Sequence, residues 1–173
     1  MIRAATPADA DVLGTMHAQA WTETYPGLVP DELFAEMTSP ARRRAAWARN
    51  LAQPLLPSGT LLVVRADVIL GFVSVCRARD QSLGTAGEVS GLYLLRQAQR
   101  QGIGRMLLAA GARVLLEAGC ADGGAWALDG NEPARAFYAA TGAMPGTRQT
   151  GTHRDTPMAE TAFVWGDLHA LLR

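Results

Sequence analysis

The chain has 173 residues, of which 49% are apolar and 18% charged, with a formal net charge of zero. Such a chain is long enough for one domain with its own core, over residues 1–173, and carries no overall charge that would draw it to nucleic acid or a membrane surface. All sixteen basic residues are arginine, so no motif can call on a lysine. Two cysteines, Cys76 and Cys120, make neither a disulfide framework nor a metal cluster, and three histidines stand far apart. The start, MIRAATPADADVL, lacks the cationic-then-apolar order of a secretory signal, and no uncharged apolar run reaches the roughly 18 residues of a membrane span. The expectation is a metal-free, reduced, cytoplasmic protein.

MIRAA predicts a short first strand, and Thr6-Pro7 then opens a helix to about Ala20 with Asp9 and Asp11 in its first turn. After the turn-rich TYPGLVPDE, Pro30 opens a short helix ending near Met37. Ser39-Pro40 starts another, ARRRAAWARNLAQ, stopped by Pro54. Two β-branched runs flanking Ala66-Asp67 read as a hairpin, and AGEVSGLYLL, residues 86–95, as the next strand. From Ile103 to Ala118 apolar residues hold one helical face, with Arg113 and Glu117 paired on the other and Gly119 as a stop. GAWALD gives a fifth strand and NEPARAFYAATG a fourth main helix, while apolar segments around 143–149 and 159–165 close the sheet. Hairpins combined with β–α–β crossovers imply an α+β fold with a mixed sheet.

The stretch RQAQRQGIGRMLLAAG, residues 96–111, sets two glycines directly before a helix. Without a Cβ the main chain lies open to a ligand, and the unpaired N–H groups and positive dipole end of the helix favour a phosphate or pyrophosphate. Arg100 and Arg105 flank the pair and offer charge-assisted contacts. A P-loop requires a lysine, and a dinucleotide fingerprint requires glycine where Leu107 stands, so both patterns fail. A tight turn with a purely structural role remains the alternative.

Gln99-Arg100-Gln101-Gly102-Ile103-Gly104 resembles the Gln/Arg-x-x-Gly-x-Gly/Ala signature of the GNAT superfamily of N-acetyltransferases. LDGNEPARAFYAATG is similar to that family's segment in which an Asn opens a helix and a Tyr follows seven residues later, here Asn131 and Tyr138. With Glu88 at a matching distance and a similar order of elements, the resemblance covers roughly residues 1–168. It implies a mixed, mostly antiparallel central sheet of six to seven strands, splayed between the fourth and fifth and flanked by about four main helices. It also implies acetyl-CoA as cosubstrate. Main-chain amides of residues 100–105 (Arg100, Gln101, Gly102, Ile103, Gly104, Arg105) would hold the pyrophosphate. The edge Leu92-Tyr93-Leu94 would pair with the pantetheine arm and polarise the acetyl carbonyl, with Asn131 near the pantetheine or CoA end. A fixed N–H at that carbonyl agrees with the charge that acyl transfer builds there.

An amine resembling lysine, with pKa ~10.4, is neutral in only a few of ~10⁴ molecules at pH 7, which costs about 4–5 kcal/mol and makes a general base useful. Glu88, fourteen residues before Gly102, resembles the family's base glutamate. A regular strand puts residues 88, 90, 92 and 94 on one face. The other reading of Glu88 is a solvated or merely positioning carboxylate. Tyr138 resembles the general acid for the departing thiolate, its alternative being core packing; of the adjacent pair, Phe137 is expected in the core and Tyr138 at the cleft. Cys120 follows a helix C-terminus and Cys76 lies in an apolar strand, so neither suits a covalent acetyl intermediate, and direct attack in a ternary complex is preferred.

Two departures from the family pattern stand out. Ala143 replaces the usual aromatic, leaving space for Met144, and Arg96 replaces a common proline, adding a cation toward the phosphates. For the amine acceptor, Trp21 and Tyr25 read as an aromatic lip or a helix-exit staple, and His153, Arg154 and Asp155 as cleft lining or a solvated hairpin tip. Arg42-Arg43-Arg44 reads as a solvated face. The function expected is transfer of acetyl from acetyl-CoA to an amine. The alternative is a non-catalytic acyl-CoA-binding sensor or scaffold, and a nucleotide-binding regulator is a weaker third reading. Pairing into a homodimer through C-terminal edge strands is compatible with the family.

Overall fold

The computed structural model describes residues 1–52, 58–153 and 155–173. The expected helix stop at Pro54, residue Arg154 and the side chain of His153 lie outside what it describes. Strand β1 (Ile2–Ala4) leads through a 3-10 turn into helix α1 (Ala10–Thr24). Asp9 secures that entry: its carboxylate accepts from the Thr6 N–H at 2.7 Å and pairs with Arg3 at 2.6 Å. The helix runs four residues past Ala20 because nothing breaks it before Pro26. Helices α2 (Asp31–Met37) and α3 (Pro40–Ala52) follow, each entered at a proline as expected.

Strands β2 (Ser58–Arg65) and β3 (Val68–Arg77) form the hairpin at Ala66-Asp67, where φ values of 47° and 62° give the left-handed turn that suits strand twist. Strand β4 (Gly87–Leu94) precedes helix α4 (Ile103–Glu117), which stops at Gly119 with φ 81°. Among the described residues no ion pair joins Arg113 to Glu117. Strand β5 (Gly123–Leu128), helix α5 (Glu132–Ala140) and the hairpin β6 (Met144–His153) and β7 (Thr156–Trp165) complete the chain.

All seven strands join one sheet in the order β1-β2-β3-β4-β5-β7-β6. Every neighbouring pair is antiparallel except β4 with β5. That parallel contact is confined to Gly87 with Gly123 and Glu88 with Gly124, after which the two strands part, as the family resemblance implied. The open stretch of β4, beyond Glu88, is the edge that borders the cleft.

The sheet divides two layers. On one side α4 and α5 pack on Val73, Val75, Val89, Leu92 and Leu94, with Phe163 and Trp165 beneath α5. On the other, α1 and α3 cover Leu62, Phe72 and Tyr93. A third apolar cluster spans the parting, joining Trp21, Val29 and Leu33 to Tyr93 of β4, Leu128 of β5 and Met158 of β7. Gly14 is what lets α3 approach α1 so closely, since a Cβ there would stand 2.5 Å from the Arg44 nitrogen. Among the described residues no helix is long and apolar enough to cross a membrane, and no group of His, Cys, Asp or Glu could hold a metal ion.

Candidate active site

A β-bulge decides which side chains meet at the parting. Val75 faces Val89 but Ser74 faces Gly91, so Ser90 is an extra residue in β4. The bulge reverses the alternation, and the face expected for residues 88, 90, 92 and 94 does not exist. Glu88 instead shares its face with Gly91 and Tyr93, toward α1 and α3, whereas Leu92 and Leu94 turn to the α4 side. One strand therefore offers a carboxylate to one layer and an open backbone edge to the gap.

Glu88 is 3% exposed and firmly held. Arg79 gives it three hydrogen bonds, from the backbone N–H at 3.0 Å, Nε at 3.1 Å and Nη2 at 2.5 Å. A carboxylate has about four lone-pair sites, so one remains for a further proton or water. Buried beside an exposed guanidinium, the group is an ion pair rather than a solvated carboxylate.

Past the strand, the chain turns at Arg100 (φ 59°) and Gly102 (φ 79°) before α4 begins. None of the amides of residues 100–105 donates to a backbone carbonyl, and the first helical bond runs from the Met106 N–H to the Gly102 carbonyl at 3.1 Å. Free N–H groups at a helix start make a site for an anion. At Gly104 a Cβ would stand 3.1 Å from Phe137, so that glycine also fits α4 against α5. Gln99 donates to the Leu94 carbonyl at 3.1 Å, tying the turn to the parted edge.

Asn131 caps α5, its side chain accepting from the Ala134 N–H at 3.2 Å. One helical stretch on, Tyr138 packs against Phe163 and Trp165 at ring distances of 5.8 and 5.5 Å. Tyr138 is buried and Phe137 only half-buried, the reverse of the expected order, because Trp165 occupies the turn beside Ala143 and draws Tyr138 onto it. Met144 does not fill that space; it is exposed. Burial, with the neighbouring Tyr93 second, pushes the Tyr138 hydroxyl well above its ordinary value, so it stays protonated. Tyr25 is raised likewise by burial and then by Tyr93, with Asn131 acting in the opposite sense, so these hydroxyls lie near one another.

The resulting cleft has a volume of about 1970 Å³. That exceeds the roughly 300–1,000 Å³ of a pocket for one drug-sized molecule, leaving room for two reactants. Glu88, Leu92, Tyr93, Leu94, Arg100, Gly102, Gly104, Arg105, Asn131 and Tyr138 all line it. The side chains of Gln101 and Ile103 do not: Gln101 bonds the Gln97 carbonyl at 2.7 Å, and Ile103 enters the core. Arg105 reaches the Ala140 carbonyl at 2.6 Å. Arg96 points away from the turn, its backbone N–H and guanidinium bonded to Glu23 at 2.6 and 2.8 Å, so it adds no cation to the turn.

His17, Arg43, Trp47 and Arg79 also line the cleft, though nothing in the sequence analysis assigned them to it. Arg43 is not on a solvated face; it stacks 5.0 Å over Trp21, and only Arg42 and Arg44 are exposed. Trp21 in turn stacks on Tyr25 at 4.1 Å, so the two aromatics both line the cleft and staple the helix exit. The spacing of His17 from Trp21, and of Arg43 from Trp47, by four residues on predicted helices was the available signal.

A sheet parted between two parallel strands, with a glycine turn of free amides beside the parting, is the arrangement of an acyltransferase. The chain belongs to the Acetyltransferase (GNAT) family, whose sequence profile it matches over residues 18–143. It is 27% identical over 170 residues to the uncharacterized N-acetyltransferase YuaI of Bacillus subtilis, covering 98% of this chain and 95% of that protein. In structure it is similar to a GCN5-related N-acetyltransferase of Rhodopseudomonas palustris, with a TM-score of 0.75 at 21% identity over 95% of this chain and 93% of the other. It is also similar to yncA of Salmonella typhimurium, a putative acetyltransferase solved with its cofactor acetyl-CoA, with a TM-score of 0.72 at 18% identity over 97% and 93%.

Proposed function

We propose that this acyltransferase moves the acetyl group of acetyl-CoA onto an amine by direct attack within a ternary complex. The observation that carries the reading is the junction of the β4–β5 parting with the unbonded amides of residues 100–105. Those amides suit a pyrophosphate, and the open edge at Leu92, Tyr93 and Leu94 suits an extended arm that completes the sheet. Acetyl-CoA brings the activated acyl group; the protein's own residues do the rest.

Backbone donors along β4 stabilise the charge that develops on the acyl oxygen. Glu88, on the face toward α1 and α3, takes the proton of the incoming amine at its remaining lone-pair site, directly or through one water. Tyr138, held protonated by burial, donates to the departing sulfur. Asn131 fixes the start of α5 and so the place of Tyr138.

One observation favours a second reading, a module that binds an acyl-CoA without turnover: Arg79 already fills three of Glu88's acceptor positions. Calorimetric titration with acetyl-CoA, followed by thiol-release assays against a panel of amines, tests both. Binding with release supports the transferase, binding without release to any amine supports the module, and no binding removes both. Light scattering in the same buffers tests pairing of two copies along the β6 sheet edge, which would double the mass.

A further inference from the structure

The contact between α1 and α3 carries chemistry that acetyl transfer, as described above, leaves unused. His17 and Trp21 stand one turn apart on α1, Arg43 and Trp47 one turn apart on α3, and all four line the cleft. Trp47 Nε1–H donates to His17 Nδ1 at 3.0 Å. An indole nitrogen can only donate, so this bond occupies the imidazole's single acceptor and assigns the hydrogen of the neutral ring to Nε2. His17 therefore cannot serve as a base here; it is a donor.

That donor has nothing to bond. His17 Nε2 and Trp21 Nε1 are both shielded from water and without a hydrogen-bond partner, on side chains that are 8% and 5% exposed. Two orphaned donors on adjacent turns of one helix are rare in a folded protein and call for a partner that accepts twice. The Arg43 guanidinium, anchored by its Nε to the Met37 carbonyl at 2.8 Å, lies over the Trp21 ring and brings positive charge to the same place. A single water or carbonyl answers the donors but not the charge. A carboxylate answers both, with two oxygens and a delocalised negative charge.

The His17 ring lies 4.5 Å from that of Tyr93, which shares its strand face with Glu88. A group held at His17 and Trp21 is thus on the side of the sheet where Glu88 would receive an amine's proton. Val29, Leu33 and Met158 line the adjoining wall with apolar surface for a side chain. We propose that the acceptor is a small amino-carboxylate, a free amino acid or a close relative, whose carboxylate is received by His17 Nε2–H and Trp21 Nε1–H beside Arg43. The proposal rests on the acetyl-transfer reading and names the substrate class for it.

The test uses the whole protein loaded with CoA and a panel of free amino acids, each beside its amide and its decarboxylated amine. Binding is read calorimetrically and acetylation by thiol release from acetyl-CoA. At least one free amino acid should bind, and be acetylated, about ten-fold or more better than its two neutralised counterparts. An amide's amine is the less basic, so chemistry alone would favour it, and preference for the acid has to come from the site. Trp21→Phe, which removes only the N–H, should erase that preference while acetyl-CoA affinity holds. His17→Asn, which keeps an acceptor for Trp47, should do the same; a variant with merely structural damage would lower all three ligands together. Equal handling of acid, amide and amine, or no free amino acid bound by the CoA-loaded protein, overturns the carboxylate assignment alone. Failure to bind acetyl-CoA at the outset overturns the transfer reading and this proposal with it.

Discussion

Tyr138 holds a hydroxyl on an otherwise apolar ring stack, and the hydroxyl is the only part that core packing does not require. Tyr138→Phe should therefore leave the melting temperature nearly unchanged and acetyl-CoA affinity within a factor of about two, while lowering kcat by about 10²-fold or more, in the range of a lost general acid. Unchanged turnover would reduce Tyr138 to packing. Glu88→Gln removes the proton acceptor but keeps the shape; kcat/KM should fall and its decline on the acidic side of the pH profile should flatten. If that limb survives, Glu88 only positions substrate and another group takes the proton. The family resemblance singled out Glu88, Asn131 and Tyr138, and the fold brings all three to the cleft. Arg79 and His17 were not legible in the same way. Their roles arise from partners nine and thirty residues away that meet only through tertiary packing.

Elements were easier to read than faces. Each strand and helix was visible in its punctuation, with prolines opening α2 and α3, Gly119 closing α4 and the turn at Ala66-Asp67 splitting the first hairpin. What the sequence hid was the bulge at Ser90, since alternation of side chains presumes a regular ladder and nothing local at a serine announces an extra residue. Glycines show the same limit. Gly102 reads correctly as a turn, but the role of Gly14 is invisible until α3 lies against α1. Gly14→Ala places a Cβ 2.5–2.6 Å from backbone atoms of Arg44, which cannot swing aside, so the helices must separate. A loss of about 1–3 kcal/mol in urea unfolding is expected, with the bond between Trp47 and His17 weakened as well. Gly104→Ala meets the Phe137 ring edge at 3.1 Å, which can rotate, so stability should change by less. Alanine also fits the family signature at this position, and the methyl faces Phe137 and Leu94 and not the amides, so acetyl-CoA affinity should stay within a factor of about two by calorimetry.

The molecule as a whole is two helical layers served by one sheet, and acid should loosen one before the other. Burial, and after it the charge of Arg43, holds His17 well below its ordinary value of about 6.5. As pH falls through 6.5 the unfolded chain takes up a proton that the folded ring refuses, so the unfolded state binds more protons and stability declines. The contribution is whole above about pH 6.5 and lost progressively beneath it. Asp9, held below the usual carboxylate range chiefly by Arg3, opens a separate and lower window: its contribution is whole above about pH 4 and fades only as pH drops further. Urea midpoints should therefore hold from pH 8 to 7 and decline from 6.5 to 5. His17→Asn should abolish that decline, and Asp9→Asn should leave it intact. A proton reaches His17 Nδ1 only where the α1–α3 contact opens and Trp47 releases that lone pair, so acid favours local opening of this layer, whereas α4 and its amide turn lie on the opposite face of the sheet. Amide-exchange protection, corrected for intrinsic rates, should consequently fall in α1 and α3 between pH 7 and 5 while that of α4 stays level. Parallel decline of the two would mean that the layers do not act separately.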